Sequence, residues 1–296
     1  MKYKSLEECL KNYCGRDTKI NTCFPVGGGD INEAFCLLLS NDEKVFVKTN
    51  RAERLGFFEA EEAGLTAIKA TETINVPEII GKGIDENQNN AFLMMRFVEG
   101  KRQREDFWRV FGRGLAHMHL AETHMFTGGG SFGFHDDNYI GATKQINTVK
   151  DNWVDFFREC RLDPQFRMAI KYFSDNDRKT FVRFLDRLPD LLDEPDKPSL
   201  LHGDLWSGNF IVGNDGDAWL IDPAVYVGHH EADLAMTELF GGFREDFYRG
   251  YNEVNPVDAG YKDRKDIYNL YHLLNHLNLF GPAYLSGVLR IVKHYA

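Results

Sequence analysis

The chain has 296 residues, 43% of them hydrophobic and 27% charged, an ordinary composition for a globular protein of one large or two moderate domains. Its formal net charge of −10 argues against a nucleic acid partner, because phosphate backbones repel an acidic surface. No apolar run approaches the roughly 18 residues that span a membrane, and the N-terminus lacks the apolar core of a signal peptide. We therefore expect a cytoplasmic protein without membrane contact.

The cysteines form neither a metal-binding nor a disulfide pattern. They stand at Cys9, Cys14, Cys23, Cys36 and Cys160, and no two are spaced as a Cys-x-x-Cys pair. Reduced thiols and no zinc site are the expectation.

A glycine triplet, Gly27, Gly28 and Gly29, lies between two strand-like runs near the start of the chain. The free N–H groups of a glycine-rich loop suit phosphate oxygens, so the triplet is a candidate nucleotide loop. Short strands and one helix make up the first hundred residues. Besides those flanking the triplet, strands are predicted at 44–48, 76–80 and 91–95, and the helix at 53–70.

Lys48 ends the alternating run at 44–48. A kinase needs a cation on the α- and β-phosphates and an acid on the following helix to orient that cation. Glu61 is the best candidate for the acid, with Glu59 and Glu62 as competitors. The pattern alone also allows a solvated lysine at a strand edge.

Residues 93–98 close the strand-rich part of the chain. In kinases the adenine ring lies against such a connector and bonds its backbone, so Met95, Arg96 and Phe97 are candidate ATP-binding residues. A plain buried strand is equally compatible with these residues.

After Glu99 the pattern becomes mainly helical. Residues 174–177 read Ser-Asp-Asn-Asp, which predicts a capping box. Apolar residues recur at helical spacing in three segments, 107–118, 181–192 and 266–295.

The order of these elements predicts an α+β, bilobal, protein-kinase-like fold. The small β-rich N-lobe, residues 1–99, would bind nucleotide. The larger helical C-lobe, residues 100–296, would carry catalysis and substrate binding.

The most informative stretch reads His-Gly-Asp-Leu-Trp-Ser-Gly-Asn at 202–209. It sets Asp204 and Asn209 at the Asp-x-x-x-x-Asn spacing of protein kinases, where the Asp is the catalytic base and the Asn binds Mg²⁺. Asp222 follows an apolar run after an Asn-Asp-Gly hairpin turn, which places it at the neighbouring end of one hairpin. The sequence therefore predicts a base, Asp204, beside two magnesium ligands, Asn209 and Asp222. The alternative is a turn in which Asp204 bonds its own backbone.

Two further residues near this motif have candidate roles. Trp206 lies between the base and the metal ligand, where its indole would either pack or stack on a sugar ring. Asp233 is expected to brace the catalytic loop as a hydrogen-bond acceptor rather than to bind metal.

Together, these motifs resemble the fructosamine kinase family, whose fold is similar to that of aminoglycoside phosphotransferases. The resemblance covers nearly the whole chain. It is carried by the segments at 27–32, 45–48, 58–65, 137–141, 153–157, 202–209, 220–236 and 274–281.

The resemblance implies ATP-dependent phosphorylation of the 3-hydroxyl of ketosamines, namely ribulosamine or fructosamine on small amines or protein lysines, as a deglycation repair. When the family's residue roles are transferred to the matching positions of this chain, they fall on the candidate residues named above. Asp204 is the base, Asn209 and Asp222 hold Mg²⁺, Lys48 with Glu61 binds phosphate, Gly27, Gly28 and Gly29 form the nucleotide loop, and Trp206 meets the sugar. Some relatives carry a redox-sensitive Cys in this loop, but Asp30 stands there in this chain, so that regulation is not expected.

Two other functions remain open at this point. A small-molecule kinase of the aminoglycoside, choline or homoserine type would share every nucleotide-binding residue. A non-catalytic nucleotide-binding scaffold is less favoured, because such a protein has no need of a base. A monomer is the favoured oligomeric state.

Overall fold

The computed structural model describes residues 2–27 and 32–296. Gly28, Gly29 and Asp30, and the predictions made for them, lie outside the described residues. The strands are β1 (Lys2–Tyr3), β2 (Ile20–Pro25), β3 (Glu33–Leu39), β4 (Lys44–Arg51), β5 (Ile79–Asp85), β6 (Asn90–Arg96), β7 (Asn138–Ile140), β8 (Thr143–Gln145), β9 (Ser199–Leu201), β10 (Phe210–Val212), β11 (Ala218–Leu220) and β12 (Tyr226–Gly228). The helices are α1 (Leu6–Cys14), α2 (Leu55–Ala70), α3 (Phe107–Leu120), α4 (His124–Thr127), α5 (Trp153–Phe157), α6 (Asp163–Met168), α7 (Asp175–Leu191), α8 (Glu231–Leu239), α9 (Glu245–Asn252), α10 (Tyr261–Phe280) and α11 (Leu285–Tyr295).

The six strands β1 to β6 form one sheet in the order β1-β5-β6-β4-β3-β2. Only β1 pairs in parallel; its neighbours pair antiparallel. Side chains of a strand alternate between faces, so Val45 and Val47 enter a core beneath α1. Lys48 therefore shares the opposite face with Phe46, towards α2 and the rest of the molecule.

Two local predictions for this part of the chain were wrong. One helix is predicted in the first hundred residues, yet α1 also forms, and Ser5 caps it by accepting a hydrogen bond from Glu8 N (3.3 Å). The strand expected at 76–80 instead runs over Ile79–Asp85, because its polar second half pairs with β6.

Helices dominate the rest of the chain. The capping box is confirmed: Ser174 Oγ accepts from Asp177 N, and the Asp177 carboxylate accepts from Ser174 N. The helical tail expected at 266–295 is two helices, α10 and α11, because Gly281 adopts φ +91° between them. Helices α3 and α9 cross closely at Gly112, where a Cβ would lie 2.0 Å from Phe247 O.

Two short ribbons in the helical half carry the predicted catalytic motif. Strand β9 pairs with β12, and β10 pairs with β11. The loop, strand, hairpin and strand order expected for residues 202–222 is therefore confirmed. An α+β, two-lobed architecture results, and the exact division at residue 99 stays a prediction. Among the described residues, no helix combines the length and the apolarity that a membrane span requires.

Candidate active site

The predicted catalytic loop, residues 202–209, is anchored by Asp233, a buried residue on α8. His202 N donates to Asp233 Oδ2 (2.7 Å), and Gly203 N donates to Asp233 Oδ1 (2.8 Å). His119 Nε2 lies 3.2 Å from the same carboxylate. Burial would raise the pKa of Asp233, but the hydrogen bond from His119 and the other donors lower it below its usual value. The bracing role predicted for Asp233 is confirmed by these contacts.

His202 and Gly203 explain why the loop begins with these two residue types. Burial lowers the pKa of His202, so the ring is neutral. Its Nδ1 accepts from Asp204 N (3.3 Å), which leaves the proton on Nε2 to be donated to Ile221 O (3.0 Å). Gly203 has φ +80°, and a Cβ there would lie 2.1 Å from Ala224 O, so no larger residue fits.

Asp204 and Asn209 meet directly, as their spacing predicts. Asn209 Nδ2 donates to the Asp204 carbonyl (2.8 Å) and to Asp204 Oδ2 (3.1 Å). Burial raises the pKa of Asp204 to about 7, against the lowering effect of Asn209, and Asp222 and Asp233 add repulsion. A carboxylate with that pKa accepts a proton readily at neutral pH.

Asp222 lies at the end of β11 in an unusual backbone conformation. Its φ of +53° is in the left-handed region, which is rare for a residue with a Cβ and recurs at functional sites. Ile221 N donates to Asn209 O (3.0 Å), which ties the two predicted metal ligands together through the backbone. The Asp222 side chain is 45% exposed, and its Oδ1 contacts Lys48 Nζ.

Lys48 is a buried cation between two acids. Its Nζ lies 2.6 Å from Glu61 Oε1 on α2 and also contacts Asp222. Burial alone would lower the pKa of Lys48, but Glu61 and Asp222 together raise it above its usual value. Of the competing acids, Glu59 is exposed and Glu62 pairs with Lys82. The solvated-edge alternative for Lys48 is therefore wrong.

One cavity of about 470 Å³ brings the predicted site residues together. Its lining includes Gly27, Lys48, Glu61, Met95, Arg96, Phe97, Asp204, Trp206, Asn209 and Asp222. Of the residues proposed from sequence, Gly28 and Gly29 alone are not placed, since they fall outside the described ranges. Shared location supports the roles assigned to these residues, which stay predictions.

The connector at residues 93–98 differs from the expectation in its backbone hydrogen bonds. Arg96 N donates to Glu78 O (2.8 Å) and Phe97 N donates to Lys44 O (3.1 Å), so neither amide is free for a ligand. The Arg96 side chain points away to an ion pair with Glu78. Val98 also lines the cavity, and its N–H has no acceptor within residues 2–27 and 32–296. The connector predicted at 93–98 includes Val98, but its amide could not be singled out from sequence, because backbone availability depends on pairing across the sheet.

Trp206 combines the two alternatives left open from sequence. Its indole lies over Gly208, where a Cβ would come within 2.3 Å of the ring, so the side chain is packed on its own loop. It is nevertheless 39% exposed and faces the cavity. An aromatic face held in this way is suited to stacking on a sugar.

Two side chains at the site were not found from sequence. Tyr139 lines the cavity and stacks on Phe57 of α2 at 3.8 Å between ring centroids. His272 of α10 places Nδ1 4.0 Å from Asp204 Oδ1. The segment at 137–141 contributed only to the family resemblance, and His272 has no sequence signal besides its place in an apolar helix.

The donor set suits a hard cation. Within the described part of the chain, no group of three or more His, Cys, Asp or Glu side chains could hold a metal. Mg²⁺ in kinases instead takes few protein oxygens and completes its shell with phosphates and water. Because Asn209 Nδ2 is turned to Asp204, Asn209 Oδ1 remains as an oxygen ligand beside the Asp222 carboxylate.

Comparison with known proteins gives the family. The family model for fructosamine kinase matches residues 2–296 of this chain. The chain belongs to the fructosamine kinase family. It is 39% identical over 98% of its length to a Synechocystis protein named Probable ketoamine kinase, covering 96% of that protein. It is also 39% identical to an Arabidopsis thaliana protein named Protein-ribulosamine 3-kinase, chloroplastic, over 95% of this chain and 84% of that one.

Solved structures support the same family and fold. A candidate fructosamine-3-kinase from Haemophilus somnus aligns with a TM-score of 0.85 and 30% identity, over 99% of this chain and 97% of that one. An aminoglycoside phosphotransferase solved with AMP-PNP and hygromycin B aligns with a TM-score of 0.64 and 16% identity, over 99% of each chain. The second likeness shows the fold alone, and it agrees with the kinase-like architecture expected from the sequence.

Proposed function

We propose that this member of the fructosamine kinase family is an ATP-dependent kinase that phosphorylates the 3-hydroxyl of ketosamines, in the repair of glycated amines or protein lysines. The observation that carries the proposal is the meeting of Asp204, Asn209, Asp222 and Lys48 in one cleft. Relatives named ketoamine kinase and ribulosamine 3-kinase, similar over nearly the whole chain, support the acceptor class.

The nucleotide end of the cleft is assigned to ATP. Lys48, held by Glu61, would contact the α- and β-phosphates, and Gly27 with the neighbouring glycines would cover them. The adenine would lie against Met95, Arg96 and Phe97, with the free Val98 N–H as the donor to the ring. Asn209 and Asp222 would hold Mg²⁺, which offsets the charge of the β- and γ-phosphates when bound.

The acceptor end of the cleft is assigned to the sugar. Trp206 would stack on the ketosamine, and Asp204 would accept the proton of its 3-hydroxyl. In that step the hydroxyl oxygen forms a bond to the γ-phosphorus, the bond from that phosphorus to the β–γ bridging oxygen breaks, and ADP leaves. Positioning and electrostatic stabilisation supply most of the rate enhancement in such transfers.

A panel of acceptors tests the proposal against the other small-molecule kinases. ADP release is measured with Mg²⁺-ATP and ribulosyl-lysine, fructosyl-lysine, an aminoglycoside, choline or homoserine, and ³¹P NMR locates the phosphate. We expect kcat/KM for a ketosamine to exceed that of the other classes at least about 100-fold, since polar groups placed for the hydroxyls of one substrate are left unpaired when an acceptor of different shape binds. A preference for the aminoglycoside, choline or homoserine, or ATP binding without turnover on any acceptor, would contradict the proposal.

A further inference from the structure

His272 is a buried histidine whose Nδ1 has no hydrogen-bond partner in the described part of the chain. The residue is 5% exposed, and among the described residues no atom hydrogen-bonds its Nδ1, which is closed to solvent. Asp204 Oδ1 lies 4.0 Å from that nitrogen. A buried polar atom left in this state reduces stability, so its position calls for a reason.

The protonation state of His272 favours an N–H group at Nδ1, on the side that faces Asp204. Burial is the main cause that lowers the pKa of His272 to about 3, so the ring is neutral and carries one N–H. A bare nitrogen lone pair would be repelled by the carboxylate. The tautomer with the proton on Nδ1 is therefore the one that this environment stabilises.

The two oxygens of Asp204 are held unequally. Oδ2 accepts from Asn209 Nδ2, whereas Oδ1 accepts from no side chain or backbone N–H of the described residues. A shortening of about 1 Å would bring Nδ1 and Oδ1 to the usual N–H···O distance.

Helix α10 holds His272 firmly enough to act as a support. The preceding residue, Tyr271, donates its hydroxyl to Gln145 Oε1 (2.7 Å), and His272 O accepts from His276 Nδ1 (2.8 Å). Leu270 and Leu274 are fully buried on the same helix.

We propose that His272 is a positioning residue for the catalytic base, donating from Nδ1 to Asp204 Oδ1 when the acceptor sugar is bound. Asn209 and His272 would then hold the two carboxylate oxygens from opposite sides, which fixes the direction in which Asp204 meets the hydroxyl. The inference rests on the proposed function, because it needs Asp204 to act as the base.

Three substitutions at one position test the donor directly. His272→Leu removes it, His272→Asn keeps a donor at the place of Nδ1, and His272→Gln moves the donor one bond further out. Steady-state kinetics with Mg²⁺-ATP and ribulosyl-lysine, and thermal unfolding, are measured for each. Tyr268→Phe is the matched control. Tyr268 is also buried on α10, and its hydroxyl has no hydrogen-bond partner within the described ranges, but its ring contacts Trp153, Phe157 and His229 instead.

We expect His272→Leu to lower kcat about 10- to 100-fold, the range found when an orienting partner is lost, with KM for ATP unchanged within twofold. His272→Asn should recover kcat to within about threefold of the unsubstituted enzyme, His272→Gln should not, and Tyr268→Phe should leave kcat unchanged. Wild-type kcat in the Leu variant would overturn the inference. Equal losses in Asn and Gln, or a loss in Tyr268→Phe as large as in Leu, would overturn it as well, since each indicates a packing role.

If the Leu variant does not fold, the comparison of Asn with Gln decides in the same way. Failure of the proposed function is a separate result. In that case the unsubstituted protein would not phosphorylate ribulosyl-lysine, or Asp204→Asn would retain its rate. Failure of the His272 inference leaves both of those tests passed.

Discussion

The cleft holds its acidic groups in two different ways. The catalytic loop is fixed from within the helical half of the chain, where backbone N–H groups of His202 and Gly203 bond to Asp233 about 30 residues away. The second group, Lys48 with Glu61 and Asp222, is called the lysine cluster here. It joins the two halves of the chain, because Lys48 of the sheet contacts Asp222 after the hairpin, 174 residues further on.

This difference predicts different behaviour on nucleotide binding. The catalytic loop should keep its geometry, because the Asp233 carboxylate that anchors it has no proposed contact with nucleotide or metal. The lysine cluster must rearrange, since Asp222 and Lys48 neutralise each other here but face Mg²⁺ and phosphates, respectively, in the proposed complex. Substitutions in the loop should therefore affect turnover, and substitutions in the cluster should affect nucleotide binding.

The largest expected effect is that of Asp204→Asn. Removing the proton acceptor should lower kcat on the order of 10²–10⁴-fold, the usual contribution of general base catalysis. Affinity for Mg²⁺-ATP, measured by calorimetry, should change less than about twofold, because Asp204 is not among the proposed nucleotide contacts. A turnover close to that of the unsubstituted enzyme would break the distinction between loop and cluster.

Asp204, Asn209 and Asp222 were predictable because their spacing along one loop and hairpin fixes their relative positions. Lys48 and Glu61 were also predictable, because the strand and the helix that carry them follow the glycine triplet in chain order. His272 and the free Val98 amide were not, because they depend on which distant helix or strand lies alongside. Helix α1 was missed because it buries only Cys9 and Leu10, too few apolar residues for a clear pattern.

Asp222→Ala tests the cluster. We expect at least about a tenfold loss of affinity for Mg²⁺-ATP, since a charged metal ligand is removed. The same titration without Mg²⁺ is the control, and there the variant should bind ATP no more weakly than the unsubstituted protein. Equal affinities in the presence of Mg²⁺ would remove Asp222 from the metal site.

Asp233→Asn tests the anchoring of the loop. An amide offers one acceptor oxygen where the carboxylate offers two, so one of the backbone N–H groups of His202 and Gly203 loses its partner. The free energy of unfolding should fall by about 2–4 kcal/mol. We expect a kcat lower by roughly tenfold with KM for ATP unchanged. A variant with full stability and turnover would show that the loop is held by other groups.

The smallest effect is a loss of stability in mild acid. Burial lowers the pKa of His202 and lowers that of His230 to about 3, so the folded protein resists protonation while the unfolded chain takes up protons below about pH 6.5. Each buried imidazole should then lower the free energy of unfolding by roughly 1 kcal/mol for each pH unit below 6.5. Asp204 contributes in the opposite direction, because its raised pKa lets the folded protein take up a proton that the unfolded chain does not. Urea unfolding at pH 7.5, 6.5 and 5.5 measures this slope, and His230→Phe should reduce it. The same slope in His230→Phe as in the unsubstituted protein would contradict neutral burial of this ring.

The most direct measurement is a crystal structure with AMP-PNP and Mn²⁺, in which anomalous scattering locates the metal. We predict one ion bound by Asn209 Oδ1 and by the Asp222 carboxylate at about 2.1 Å, with Lys48 moved from Asp222 to the phosphates and the Asp204 loop unchanged. A metal bound without Asn209 and Asp222, or a nucleotide outside this cleft, would contradict it.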